Sequence, residues 1–348
     1  MDTIEIRKPD DFHLHLRRSE LLRKVLPHTV NQFARGLIMP NTRPGPIITN
    51  EHVDNYRNEI CSVLTKDQLA EFSPLMTIQI TQETTPEIIN KAEQARAIAA
   101  KIYPQGVTTN SENGVVDFRG LYPVFETMQE LDMVLSLHGE SPQEMVPGLE
   151  KEKTFLHTLR MIARDFPKLR IVLEHITTED AVKCVLELPE TVAATITVHH
   201  LFLTLDDVIG YSKDSKGLMQ SHNFCKPIAK TVYDRAALRK VATSGNPKFF
   251  FGSDSAPHLK GSKECASVCA GVFTAPVALP LLCQMFEYLG HLEDRLEPFV
   301  SEFGAKFYRL PLNSERICCV KKEWIVPQEY DGIVPFMAGQ KIYWQVET

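Results

Sequence analysis

The stretch Asp11-Phe12-His13-Leu14-His15-Leu16-Arg17 puts two imidazoles and a guanidinium on one short segment. On an extended strand successive side chains alternate, so His13 and His15 are expected on one face and Phe12, Leu14 and Leu16 on the other, which lets the two histidines share a metal ion. A zinc site needs further protein ligands. His138 in Leu137-His138-Gly139-Glu140, His175 in Leu173-Glu174-His175-Ile176 and Asp254 in Asp254-Ser255-Ala256-Pro257-His258 are the candidates. Lys101 interrupts the apolar run Ile98-Ala99-Ala100-Lys101-Ile102-Tyr103, where a bare ammonium is costly. One reading has it snorkel to the edge of the fold. The other has burial lower its pKa, so that the neutral amine takes up carbon dioxide and the carbamate bridges two metals. The set His13, His15, Lys101, His138, His175 and Asp254 would then serve a two-metal centre.

These side chains have to be carried to one place, and the chain has a rhythm that does so. A brief apolar run, a polar loop and an amphipathic helix follow one another repeatedly, with runs at 11–15, 37–39, 75–80, 98–102, 133–137, 170–175, 192–198 and 248–252. Helices are expected at 51–64, 86–97, 149–166, 179–188 and 233–243, the second opened by Thr85 as a cap with Pro86 in its first position. This alternation predicts an α/β fold, a (β/α)8 barrel of TIM type. The candidate ligands fall at or near the C-terminal ends of their runs, and in a barrel those ends share one rim. The segment 305–348 breaks the rhythm with Pro311, Pro327 and Pro335 and two strand-like pieces, 317–320 and 341–345. It is read as a C-terminal extension packed on a barrel formed by 1–304.

Composition bounds the function. Hydrophobic residues make up 43% and charged residues 24% of 348 positions, which suits a globular enzyme with a large core. The formal net charge of −6 and the lack of a Lys/Arg cluster speak against a nucleic-acid surface. No apolar run is long enough to span a bilayer, and the first residues resemble no secretory signal, so a cytoplasmic protein is expected. The 8 cysteines are scattered without a Cys-X-X-Cys pair, as reduced thiols would be.

Taken together, several segments resemble one family. They are Asp11 to Arg17, Met39-Pro40-Asn41, Lys101-Ile102-Tyr103-Pro104 followed by Thr108-Thr109-Asn110-Ser111, Leu137-His138-Gly139-Glu140, Glu174-His175-Ile176-Thr177, Asp254 to His258 and Cys269-Ala270-Gly271. In this order they are similar to the dihydroorotases of the stand-alone, bacterial-type branch of the amidohydrolase superfamily. The resemblance implies a distorted (β/α)8 barrel with two Zn2+ per subunit, bridged by N6-carboxylated Lys101. His13, His15 and Asp254 would hold one ion, and His138 and His175 the other. It implies reversible cyclisation of N-carbamoyl-L-aspartate to (S)-dihydroorotate in pyrimidine biosynthesis, through a metal-bridging hydroxide, with Asp254 as acid and base. A clamp for the substrate's own carboxylate follows from its charge, and Arg17, Asn41 and His258 match the family's contacts to it. Lys226 and Ala270 fall where the family touches substrate mainly through backbone or close packing, and Lys226 departs from the apolar residue the bacterial pattern has at that position. Thr108 and Thr109 lie in 104–114, a loop expected either to fold over the site or to be a plain connector. The resemblance also implies a homodimer. Two competing readings remain: another cyclic-amide hydrolase such as a hydantoinase or allantoinase, or a silent barrel scaffold that has lost its ligands.

Overall fold

Strands and helices alternate along the chain in a computed structural model that describes residues 2–347. Strand β1 (Thr3–Arg7) is followed by eight parallel strands: β2 (Asp10–Leu14), β3 (Arg35–Ile38), β4 (Ser73–Ile80), β5 (Ala97–Ile102), β6 (Val134–His138), β7 (Ile171–Glu174), β8 (Val192–Ile196) and β9 (Phe249–Phe251). The order β2 to β9 in the sheet is the order in the chain, each strand hydrogen-bonded to the next. Closure comes just past β9, where Asp254 N donates to His13 O at 2.7 Å and His15 N to Ser255 O at 2.9 Å. The result is a nearly closed (β/α)8 barrel, and each expected apolar run supplies one of its strands.

The alternation of each strand divides the core in two. Ile78, Ile80, Ala100, Ile102, Leu135, Leu137, Leu173 and Ile196 face the surrounding helices. Phe12, Leu37, Met39, Ala99, Val134, Val172, Ala193 and Phe250 fill the interior. The small Ala99 and Ala193 leave room there for aromatic rings. The ring of Phe12 stacks on Tyr308 at 4.9 Å, and Gly304 lies so close to Phe12 that any side chain at 304 would collide with it. The short helix Phe303–Phe307 thus plugs one end of the barrel. Above this apolar layer the same inward positions carry Lys101, Ser136, His138, Glu174 and Thr195, all buried.

Strict alternation fails at β2. Phe12 joins the interior, whereas Leu14 and Leu16 pack outward, so the expectation of all three on one face is corrected. The pairing of β2 with β3 shifts between Asp11 and Leu14. Asp11 Oδ1 accepts from His13 N at 3.1 Å and from Ser253 N at 2.8 Å, so a buried carboxylate takes two amides that a regular ladder would not satisfy together.

Helices run close to their expected spans: Asn50–Val63, Pro86–Gln94, Lys151–Asp165, Glu179–Glu187 and Val232–Ala242. The second is shorter than expected because the chain turns at Arg96, with φ 59°, to enter β5. Thr49, Thr85, Thr178 and Thr231 each accept an amide hydrogen bond at a helix start. Residues past the barrel return to its start: Arg316–Val320 (β10) pairs antiparallel with β1 and with Gln345–Val346. Strand β1 and the helices Ser19–Val30, Tyr122–Glu130 and Ala278–Tyr288 were not anticipated individually.

Candidate metal centre and substrate cavity

At the C-terminal rim the strands converge on one cavity, lined by His13, His15, His138, His175 and Asp254 on one side. Arg17, Asn41, Thr108, Thr109, Lys226 and Ala270 line the rest of it, together with Tyr103, Ala256 and Gly271. Asp254 Oδ1 lies 3.2 Å from His15 Nε2 and 3.4 Å from His13 Nε2. The ring of His175 is 4.9 Å from that of His13 and 4.8 Å from that of His138. Ligand atoms of His13, His15 and Asp254 all lie within 4.8 Å of one another, so these three can hold a metal ion.

Two buried groups in this cluster have no hydrogen-bond partner: Lys101 Nζ and His175 Nδ1. Lys101 is fully buried, and its ammonium lies 5.1 Å over the ring of Tyr103. Burial lowers its pKa to about 8, against the pull of Glu174 and Asp254. A buried amine and a buried imidazole with nothing to bond are out of place in a closed core, but they suit a polynuclear metal site in which both become ligands. The donor set of imidazoles and one carboxylate is that of zinc sites. Burial also lowers His15 to about 4 and holds His175 well below the ordinary range, so both rings are neutral at pH 7, the state in which imidazole ligates. Burial alone would raise Asp254, yet hydrogen bonds from His13 and His15 hold it well below the usual carboxylate range.

Behind these side chains stands a set that sequence reasoning left without a role. Glu174 Oε2 accepts from His13 Nδ1 at 2.8 Å and from Thr195 Oγ1 at 2.6 Å, and His175 N in turn donates to Thr195 Oγ1 at 2.7 Å. Glu140 Oε2 pairs with His138 Nε2 at 2.7 Å. Each carboxylate orients an imidazole, fixing its tautomer and raising its basicity. The available signal was adjacency: Glu174 directly precedes His175, and Glu140 lies two positions after His138.

Across the cavity Arg17 adopts φ 60°, and its guanidinium is clamped by Nε donating to Pro257 O at 2.9 Å and Nη2 to His258 Nε2 at 3.1 Å. Tyr56 Oη fixes the backbone by donating to Arg17 O at 2.6 Å. Burial and the nearby Arg17 push His258 down to about 3, so it is a neutral acceptor for that guanidinium. Asn41 Nδ2 reaches Thr109 O at 3.4 Å, while its Oδ1 has no partner. The loop 104–114 therefore sits on the cavity, tied down further by Arg43 Nε donating to Asn110 Oδ1 at 2.6 Å.

His199 and His200, given no metal role from sequence, lie on the helix Val198–Phe202 with Cys225 near them. Both nitrogens of His200 are engaged, Nδ1 with Thr197 Oγ1 at 2.9 Å and Nε2 with Pro227 O at 3.0 Å, as in a packed structural histidine.

An eight-stranded barrel with histidines, a lysine and an aspartate gathered at its C-terminal rim defines an amidohydrolase-type barrel. No family model matches the chain. A dihydroorotase of Vibrio vulnificus (strain YJ016) is 45% identical over 353 aligned positions, spanning 100% of both chains. The crystal structure of the Saccharomyces cerevisiae dihydroorotase in complex with 5-fluoroorotic acid superposes with a TM-score of 0.91 at 38% identity, covering 100% of this chain and 99% of that one. An L-hydantoinase from Arthrobacter aurescens shares the fold, with a TM-score of 0.82 at 15% identity over 99% of this chain and 83% of its own. The chain belongs to the dihydroorotase family.

Proposed function

We propose that the protein interconverts N-carbamoyl-L-aspartate and (S)-dihydroorotate, closing the ring with loss of water and opening it by hydrolysis. The observation that carries this reading is the meeting, in one cavity, of His13, His15, His138, His175 and Asp254 with a guanidinium held ready for an anion. His13, His15 and Asp254 would hold one zinc ion and His138 and His175 a second, with Lys101, once carboxylated, as a further ligand. Such a pair would supply Lewis acidity toward the amide carbonyl and a nucleophile available at neutral pH.

The chain's own groups do the rest. Arg17 spends Nε and Nη2 on Pro257 and His258, and no hydrogen bond among the described residues engages Nη1, which is free for the substrate carboxylate. Asn41 and His258 flank it, and that pairing fixes which end of the substrate faces the metals. Asp254 is ionised at neutral pH, so in hydrolysis it accepts a proton at its carboxylate. Because its protonated form is disfavoured, it hands that proton to the departing ring nitrogen, serving as base and then acid. Thr108 and Thr109, on the loop over the cavity, exclude water and touch the substrate once it is bound.

The same reading makes the protein a cytoplasmic homodimer whose residues 305–348 extend a barrel of 1–304. The absence, among the described residues, of a helix long and apolar enough to cross a membrane is consistent with it. Nothing in the site favours a silent scaffold, since every expected ligand position is filled. The test is turnover of both substrates by the purified protein before and after chelation. Activity that is lost to a chelator and restored by Zn2+ is expected; a metal-loaded protein inert toward both substrates overturns the reading.

A further inference from the structure

One buried cation takes no part in the chemistry above. Lys263 is 3% exposed, has no carboxylate partner among the described residues, and donates from Nζ to three backbone carbonyls: Phe224 O at 2.9 Å, Cys269 O at 2.9 Å and Gly271 O at 2.8 Å. An ammonium has three hydrogens, so all are spent. The acceptors belong to two segments distant in sequence, 224–226 and 269–271, which Gly271 N also joins by donating to Phe224 O at 3.0 Å. These segments present Lys226 and Ala270 to the cavity. Ala270 O, between Cys269 and Gly271, lies 3.0 Å from His258 Nε2, the nitrogen that accepts from Arg17.

The carbonyls of Cys269 and Gly271 are therefore both turned to the Lys263 ammonium. Of the amides nearby, Cys269 N is bonded to Ser262 O and Gly271 N to Phe224 O, whereas Ala270 N and Lys226 N have no protein acceptor among the described residues. Two loop segments that line the cavity thus carry two unspent N–H donors. Their shape depends on a cation buried away from any carboxylate, a placement that costs stability unless hydrogen bonds are complete.

We propose that Lys263 is the positioning residue of these two segments: by gathering the carbonyls of Phe224, Cys269 and Gly271 onto one ammonium, it sets the free amides of Lys226 and Ala270 at the spacing that the anionic substrate requires. The inference rests on the dihydroorotase reading and deepens it. Three carbonyls converging on one point call for a compact tetrahedral donor. A planar guanidinium cannot replace it there.

The experiment compares Lys263→Met, Lys263→Gln and Lys263→Arg with the wild-type enzyme for KM, kcat, metal content and amide hydrogen exchange. With every donor removed, Lys263→Met should raise KM for both substrates by about tenfold or more, with metal content retained and kcat within about threefold. Lys263→Gln keeps two N–H donors and should show a smaller rise, and it is read in place of the Met variant should that one fail to fold. Lys263→Arg, which keeps the charge, should not restore the wild-type KM. In each folded variant, exchange should quicken at 224–226 and 269–271 but not at 104–114. An unchanged KM in a folded Met or Gln variant, or a loss of kcat and metal at constant KM, overturns the proposal. The exchange comparison needs no turnover, so it judges Lys263 even if the wild-type enzyme is found inert toward these substrates.

Discussion

The two sides of the cavity are made of different material. On the metal side, side chains project from strand ends and are braced by buried carboxylates, as His13 is by Glu174 and His138 by Glu140. On the opposite side the surface at Thr109, Lys226 and Ala270 is loop, and the backbone beside Ala270 is held by Lys263 through the carbonyls of Cys269 and Gly271. A side chain on a strand is placed by the ladder that holds the strand, so its identity is the information. A loop amide is placed by whatever ties the loop down, which lies elsewhere in the sequence.

Disrupting the metal side should therefore cost most. Lys101→Ala removes the residue proposed as the bridging carbamate, and turnover should fall by on the order of a thousandfold or more as one metal is lost. Short carboxylates in solution should restore part of it, and wild-type apo protein should reconstitute faster with bicarbonate. Metal content and kcat measured together decide this; a fully active, fully metallated Lys101→Ala enzyme would remove the bridge from the account.

Glu174→Gln comes next, since it leaves every ligand in place and removes only the charge behind His13. Metal affinity should drop by about ten- to a hundredfold, measured by competition with a chelator, with kcat recovered at saturating Zn2+. Unaltered affinity would show that the strand ladder alone aims the imidazole. Arg17→Ala acts on the far side, where it removes a charge-assisted contact worth about 1.5–3 kcal/mol. KM for both substrates should rise with metal content unchanged, and a wild-type KM would remove the clamp.

The same division explains what could be read from the sequence. That His13, His15, His138, His175 and Asp254 converge was legible because brief apolar runs alternating with helices predict a barrel whose strand ends share one rim, and polar residues at or near those ends stand out against the apolar pattern. Glu174 and Glu140 were visible as letters but not as partners, because a carboxylate beside a histidine acquires meaning only once the neighbouring strand is known. The shift at Asp11 was hidden for a similar reason: it depends on Ser253 N, which sequence leaves far away. Lys263 was illegible altogether. Its acceptors are carbonyls, which every residue carries, so no pattern of side-chain types marks the place where they meet.

The smallest effect sharpens the contrast most, because it separates loop backbone from loop side chains. Ser111 is fully buried, and its hydroxyl accepts from Thr108 N at 3.0 Å while donating to Thr108 O at 2.7 Å. Its backbone carbonyl independently accepts from Gly106 N at 2.9 Å and Gly114 N at 3.0 Å. Ser111→Ala removes the first pair and leaves the second, so the loop keeps its overall course while the peptide groups flanking Thr108 lose their tether. Each of the two bonds lost is worth about 1 kcal/mol net, and with the loop still held by the second pair about half of that total should reach kcat, a fall of about fivefold with metal content unchanged. A fall as large as that of Lys101→Ala would mean that the loop is as exacting as the strand ends, and the contrast between the two walls would collapse. No change at all would mean that Arg43 on Asn110 and the two glycine amides hold the loop by themselves, which leaves the Ser111 hydroxyl no part in its control.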